Sequence, residues 1–79
     1  MKKRNQLISL AELKKGQRGI IQELPEGELS VKLMEMGLLP GETVRVEHVA
    51  LWGDPISVKV GNSLLSLRKE EAQVVLVEP

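Results

Sequence analysis

Hydrophobic residues in the first half of the chain change from a helical spacing to a strand spacing within a few positions. Leu29, Leu33 and Met36 recur at i, i+4 and i+7, with Lys32 and Glu35 on the other side. This spacing predicts an amphipathic helix of about two turns. In the later segment TVRVEHVA, apolar and polar residues alternate, which predicts a strand buried on one face.

The stretch MEMGLLPGE joins this helix to the strand. Gly37 follows the helical pattern, where glycine accepts the left-handed conformation found after a helix cap, and Leu38 is then placed to contact Leu33 in a Schellman ending. Pro40 and Gly41 suit the second and third positions of a type II turn. We therefore predict that the helix stops at Gly37 and that a tight turn starts the strand.

Short strand patterns fill most of the remaining chain. The segments QRGIIQEL, ISVKV, SLLSL and QVVLV each indicate a strand, with a bulge or bend at Gly19. The alternation in TVRVEHVA slips at His48 and Val49, which predicts another bulge. Ser9 and Glu12 have the capping-box pattern of a short helical turn, and RKEEA indicates a polar turn. The fold class is therefore mainly β, a small, strongly bent barrel of about five strands with one or two short helices.

Length and composition limit the chain to one small domain. Its 79 residues form a single domain over residues 1–79, and the basic cluster KKR near the start predicts a flexible tail over residues 1–6. The charges sum to zero, so no long-range field attracts nucleic acid or an anionic membrane. No apolar run is long enough to cross a bilayer, and there is no cysteine. These features favour a cytoplasmic protein in a reducing compartment.

The sequence offers few groups for catalysis or metal binding. His48 is the only histidine, and it falls on the apolar face of its strand pattern, so a structural or surface role is favoured over ligation. Cysteine nucleophiles and glycine-rich phosphate loops are absent. Carboxylates such as Glu70 and Glu71 are typical of a solvated surface. We predict no enzymatic activity, no cofactor and no metal site, with at most weak binding of ferrous iron.

Three motifs of the chain form a recognisable set: LMEMGLLPGETVRV, then WGDPISVKV, then LSLRKEEAQVVLVE. Together they resemble the FeoA family, the small cytoplasmic component of bacterial ferrous iron transport, and the resemblance extends from residue 10 to residue 78. The matching positions are Met36, Gly37, Leu38, Pro40, Gly41, Gly53, Asp54, Pro55, Ile56, Leu67 and Arg68. Where the family often reads Ala-Pro-Leu-Gly-Asp-Pro, Leu51 replaces the first proline and Trp52 replaces the leucine.

The resemblance implies an SH3-like barrel, in agreement with the strand pattern. It also implies a partner, the membrane GTPase and ferrous iron transporter FeoB, which FeoA-like proteins are thought to support by binding. The chain would then be a non-enzymatic accessory protein, associated with the membrane only through FeoB, and weak self-association stays open. The implied partner-binding residues are Met36, Gly37, Leu38, Pro40 and Gly41, and Leu51, Trp52, Gly53, Asp54 and Pro55.

Other interpretations stay open at this stage. KKGQRGIIQEL resembles the KOW-type pattern of barrels that bind ribosomal RNA, although zero net charge and a single aromatic residue argue against it. A detached domain of an iron-dependent repressor would share the barrel, but no helix-turn-helix precedes it. A third alternative is GTPase activation, in which the chain supplies an arginine to a GTPase. That arginine would need to be exposed on a docking surface. Trp52 either caps an open end of the barrel or projects as a binding anchor.

Overall fold

The computed structural model describes residues 6–79, which form six strands, two α-helices and two short 3₁₀ helices. The strands are β1 (Ile8–Ser9), β2 (Arg18–Glu23), β3 (Thr43–Val49), β4 (Ile56–Val60), β5 (Ser63–Leu67) and β6 (Leu76–Glu78). The α-helices are α1 (Glu28–Glu35) and α2 (Lys69–Gln73), and the 3₁₀ helices span Leu10–Glu12 and Leu51–Gly53. The flexible tail predicted over residues 1–6 lies outside the described residues except for its last position.

The strands form one antiparallel sheet in the order β1, β6, β2, β3, β4, β5. Alternate residues of the strands face a core made of aliphatic side chains, as the near absence of aromatic residues requires. Its fully buried larger members are Leu10, Ile21, Leu33, Leu38, Leu67, Val44, Val46, Val58, Val75 and Val77. The mainly β prediction is confirmed, with one strand more than expected.

The end of α1 has the geometry that the sequence predicted. Gly37 has a φ of +107°, and its N–H donates to the Met34 carbonyl at 3.0 Å. The Leu38 N–H donates to the Leu33 carbonyl at 3.0 Å. Leu33 and Leu38 are both fully buried in the core. These two hydrogen bonds and the buried leucine pair define a Schellman ending, so this prediction is confirmed.

A tight turn then leads into β3. The Glu42 N–H donates to the Leu39 carbonyl at 3.0 Å, and Gly41 has a φ of +94°, as a type II turn requires at its third position. The turn is also tied to β2, because the Gly41 N–H donates to the Ile21 carbonyl at 2.7 Å and the Ile21 N–H donates to the Glu42 carbonyl at 2.9 Å. Its backbone is therefore hydrogen-bonded to the sheet.

The bulge predicted at Gly19 is in the wrong place. The register between β2 and β6 shifts between Ile21 and Glu23 instead. Gly19 lies against β6, where an added β-carbon would be 3.0 Å from the carbonyl oxygen of Glu78. The close approach of the two backbones explains why this position holds glycine.

The second bulge occurs in β3, one position before the predicted slip. The register between β3 and β4 shifts between Val46 and His48, and His48 lies opposite Ser57. Because the extra residue reverses the alternation, His48 is exposed, whereas Val44 and Val46 are buried. The sequence analysis was therefore wrong to place His48 on the apolar face, and the side chain lies at the surface.

Both ends of the chain differ from the predicted elements. The two residues of β1 pair with β6, and a strand this short leaves no periodic signal in the sequence. Ser9 caps the 3₁₀ helix as predicted: its Oγ accepts from the Ala11 N–H at 3.1 Å, and its own N–H donates to Glu12 at 3.3 Å. The segment RKEEA mostly forms α2, which extends to Gln73, so the last strand begins only at Leu76.

Candidate functional site

The two segments expected to bind a partner lie at opposite ends of β3. Residues 36–41 precede this strand and residues 50–55 follow it. β3 has seven residues, and a strand rises about 3.3 Å per residue, so roughly 20 Å separates the two segments. A partner that contacts both segments must therefore extend along the whole strand.

Most of residues 36–41 are packed in the core or held by backbone hydrogen bonds. Leu38 is fully buried, and Met36 is half-buried against the core. Gly37 completes the Schellman ending of α1. Pro40 and Gly41 are exposed, but the backbone of their turn is bonded to β2. The side chain of Leu38 is not available to a partner in this structure.

The 3₁₀ turn of Leu51–Gly53 exposes two large apolar side chains. Trp52 is 89% exposed and Leu51 is 81% exposed. The indole does not cap the barrel, so this interpretation of the sequence is wrong. Trp52 also has a φ of +65°, a left-handed conformation that costs an ordinary residue about 1–2 kcal/mol. The chain thus keeps its one aromatic side chain in water and in an unfavourable backbone conformation.

Hydrogen bonds fix the backbone around this indole. The Ala50 N–H donates to the Pro55 carbonyl at 3.1 Å, and the Gly53 N–H donates to the Ala50 carbonyl at 2.9 Å. The carboxylate of Asp54 accepts from the Lys69 N–H at 3.1 Å, which joins the turn to the start of α2. A turn closed in this way needs little further ordering when a partner binds.

A buried carboxylate of α2, that of Glu71, joins this helix to α1. Glu71 is buried, whereas Glu70 is exposed, so the expectation of a solvated acidic surface is wrong for Glu71. One oxygen of Glu71 accepts from Lys32 Nζ of α1 at 2.7 Å, and the other accepts from the Arg68 N–H at 2.9 Å. The Lys32 ammonium and then the Arg68 N–H hold the pKa of Glu71 below its usual value, against the opposing effect of burial.

A groove beside the exposed turn was not found from the sequence. Residues 11–15 line one side, His48 and Val49 line the other, and the volume is about 520 Å³. Leu13 is buried in the core beneath the groove, whereas Val49, Lys14 and Lys15 are exposed. The bulge in β3 directs His48 and Val49 to this place. The slip in alternation was the one sequence signal that pointed here.

Metal-binding and membrane-spanning features can be assessed for residues 6–79. In that range, no group of three or more histidine, aspartate and glutamate side chains is arranged to hold a metal ion. None of the helices described there is long and apolar enough to cross a membrane. The statement that ferrous iron binds weakly at most stays a prediction.

Short antiparallel strands around an aliphatic core, connected by tight turns, define a small SH3-like β domain. Comparison with known families identifies the family to which this domain belongs. The chain belongs to the FeoA domain family, whose model matches residues 8–79. This family is a group of small accessory proteins related to ferrous iron transport, so the resemblance and the SH3-like fold predicted from the sequence are both confirmed.

Solved structures agree with this assignment. Iron(II) transport protein A from Clostridium thermocellum is 43% identical with a TM-score of 0.84, and the match covers 90% of this chain and 44% of that chain. FeoA from Stenotrophomonas maltophilia, an SH3 domain protein complexed with zinc, is 31% identical with a TM-score of 0.73 and coverages of 89% and 88%. A manganese-dependent transcriptional repressor has a TM-score of 0.85 at 17% identity, covering 96% of this chain and 43% of its own, which shows a shared fold alone.

Proposed function

We propose that this chain is a non-enzymatic accessory protein of bacterial ferrous iron uptake that binds the cytoplasmic side of FeoB and supports its activity. Membership of the FeoA family supports the connection to iron transport. The observation that carries the binding role is Trp52, which is 89% exposed on a hydrogen-bonded turn. Its neighbour Leu51 is 81% exposed and adds a second apolar group.

An exposed tryptophan on a fixed turn suits an anchor that enters a pocket. Tryptophan is enriched among the residues that dominate binding energy, because its large ring buries much apolar surface while its N–H keeps a polar contact. Two side chains cannot provide the roughly 800 Å² that each side of a stable flat interface buries. A concave apolar pocket on FeoB therefore fits Trp52 and Leu51 better than a second copy of this chain does.

The other predicted segment has a smaller part in this proposal. Pro40 and Gly41 are exposed, but they are about 20 Å from the Trp52 turn along β3. A partner that contacts both must extend along the whole strand. We assign Gly37 and Leu38 to positioning β3, because one ends α1 and the other is buried in the core.

Binding to purified FeoB in detergent tests the anchor. Trp52→Ala should weaken binding by about 2 kcal/mol or more, roughly 30-fold, because the indole fills the partner's pocket. Leu64→Ala is the matched control, since Leu64 is a 69% exposed apolar residue on β5. We expect this control to bind FeoB like the unchanged protein. Equal affinities for all three proteins would contradict the anchor.

GTP hydrolysis by FeoB separates an accessory role from an enzymatic one. The isolated chain should not hydrolyse GTP, and FeoB should respond to the unchanged protein but not to Trp52→Ala at the same concentration. Hydrolysis by the isolated chain would contradict the non-enzymatic proposal. If FeoB binds the protein with unchanged turnover, the supporting role is limited to holding the complex together.

A further inference from the structure

The groove beside the Trp52 turn has a charge pattern that suggests what kind of segment it binds. Lys14 and Lys15 are exposed among its lining residues, and His48 lies on the opposite wall. Glu12 is the one carboxylate in the lining, and it already accepts a hydrogen bond from the Ser9 N–H at 3.3 Å. The lining thus has two lysines against one carboxylate, with His48 counted as neutral, in a chain whose net charge is zero.

Apolar surface lies between basic groups along this side of the molecule. Leu13 and Val49 line the groove, and β3 continues from Val49 directly to the turn that exposes Leu51 and Trp52. Beyond the turn, the Lys69 side chain lies close to Gly53, 3.9 Å from where a β-carbon would be. The exposed apolar residues Val49, Leu51 and Trp52 therefore extend from the basic pair in the groove toward Lys69, beside which the Asp54 carboxylate also lies.

The bulge in β3 is what makes the groove part of this surface. Without the extra residue between Val46 and His48, strict alternation would turn the side chains of His48 and Val49 to the other faces of the strand. With it, both residues line the groove opposite residues 11–15. Its volume of about 520 Å³ is enough for several side chains of an extended or helical segment.

We propose that this groove binds an acidic, amphipathic segment of FeoB, whose carboxylates pair with Lys14 and Lys15 while its apolar side chains contact the exposed Val49 and Leu51. The inference rests on the proposed function. It adds the chemistry of the FeoB segment next to the FeoB pocket that receives Trp52. Opposite charges at the rim of such an interface raise the association rate and fix the orientation of the segment.

The test uses charge reversal and purified FeoB in detergent. Lys14→Glu with Lys15→Glu should weaken binding at low ionic strength by about tenfold, mainly through slower association. The difference should shrink at about 1 M salt, where the Debye length is about 3 Å. The control, Arg45→Glu with Lys59→Glu, reverses two charges that face each other across β3 and β4, outside the groove lining. This control should bind within about twofold of the unchanged protein.

Any other outcome overturns the inference, and the variants that lose binding show which part of it is wrong. If Trp52→Ala weakens binding and the Lys14/Lys15 reversal does not, the acidic segment is wrong and the proposed function stands. Equal losses for both reversed pairs would indicate a general charge effect and no role for the groove. If the unchanged protein does not bind FeoB, both proposals fail. Sedimentation with phosphatidylserine-containing vesicles that the Lys14/Lys15 reversal abolishes, without any change in FeoB binding, would assign the groove to a lipid surface.

Discussion

The turns at the two ends of β3 contain similar residue types, but the first buries Leu38 and the second exposes Leu51 and Trp52. Residues 37–42 read Gly-Leu-Leu-Pro-Gly-Glu, and residues 50–55 read Ala-Leu-Trp-Gly-Asp-Pro. In the first turn, Leu38 is fully buried and the left-handed positions are glycines. In the second turn, Leu51 is exposed and Trp52 itself has positive φ.

This difference separates a turn that stabilises the fold from one that presents a surface. A left-handed glycine beside a buried leucine lowers the free energy of the folded state. A left-handed tryptophan in water raises it, and such positions concentrate at binding and catalytic sites. Substitutions in the two turns should therefore have opposite profiles, with stability lost in the first and binding lost in the second.

The largest expected effect on stability comes from the buried leucine of the first turn. Leu38→Ala should lower the free energy of unfolding by about 3 kcal/mol, because it removes a fully buried side chain and leaves a cavity. Leu51→Ala, the same change at an 81% exposed position, should alter it by less than about 0.5 kcal/mol. Urea denaturation of both variants measures the two values, and similar losses would remove the distinction between the turns.

The Glu71 carboxylate should give the next largest effect, and its contribution depends on pH. Glu71→Gln should lose about 1–2 kcal/mol near pH 7, because it removes a charged acceptor of two hydrogen bonds whose lysine partner is mostly exposed. The folded state holds the pKa of Glu71 below its usual value. The stabilisation is therefore complete above the ordinary glutamate pKa and is lost as pH falls through the lowered one.

Denaturation at a series of pH values checks this sign. The stability difference between the unchanged protein and Glu71→Gln should shrink toward zero in acid. Glu70→Gln is the control, since Glu70 is exposed on the same helix turn. A difference that stays constant down to low pH would show that packing, and not the ionised carboxylate, accounts for the loss.

Gly37→Ala should cost about 1 kcal/mol, because alanine is unfavourable at a φ of +107°. An added β-carbon there would meet nothing within 4 Å, so conformation is the sole source of the loss. Gly37→Asn should lose less, since asparagine tolerates this conformation better. Thermal denaturation compares the two variants. Unchanged stability in Gly37→Ala would reject the Schellman ending.

Substitutions of Trp52 should have the smallest effect on stability. At this position glycine should be tolerated at least as well as alanine. Trp52→Ala should change the free energy of unfolding by less than about 0.5 kcal/mol, because the side chain is exposed. Trp52→Gly should be at least as stable as Trp52→Ala, since glycine accepts a φ of +65° without strain. A loss of several kcal/mol in Trp52→Ala would mean that the indole covers the core after all.

The sequence predicted best those features that depend on local residue chemistry. The helix stop at Gly37, the type II turn at Gly41 and the alternation in β4 depend on neighbours along the chain, and each was confirmed. β1 was not predicted, because two residues carry no period and only their pairing with β6 defines the strand. Gly19 was misinterpreted because its constraint comes from β6, far along the chain.

The candidate site was harder to predict, because it depends on what the fold leaves uncovered. The sequence could not decide whether Trp52 is buried, since both outcomes satisfy the same local pattern. It also gave no sign that the two segments lie about 20 Å apart, at opposite ends of β3. The groove arises from a bulge that turns His48 and Val49 toward residues 11–15, a long-range contact without a residue signature of its own.

The surroundings of the Trp52 indole, free and with FeoB, test the central claim most directly. Trp52 is the only tryptophan of the chain, so 5-fluorotryptophan labelling gives one fluorine signal even when FeoB has tryptophans of its own. In the free protein the signal should show the solvent isotope shift of an exposed ring. On addition of FeoB, that shift should disappear as the signal moves and broadens. A signal that keeps its position and its isotope shift in a complex shown to have formed would contradict the anchor.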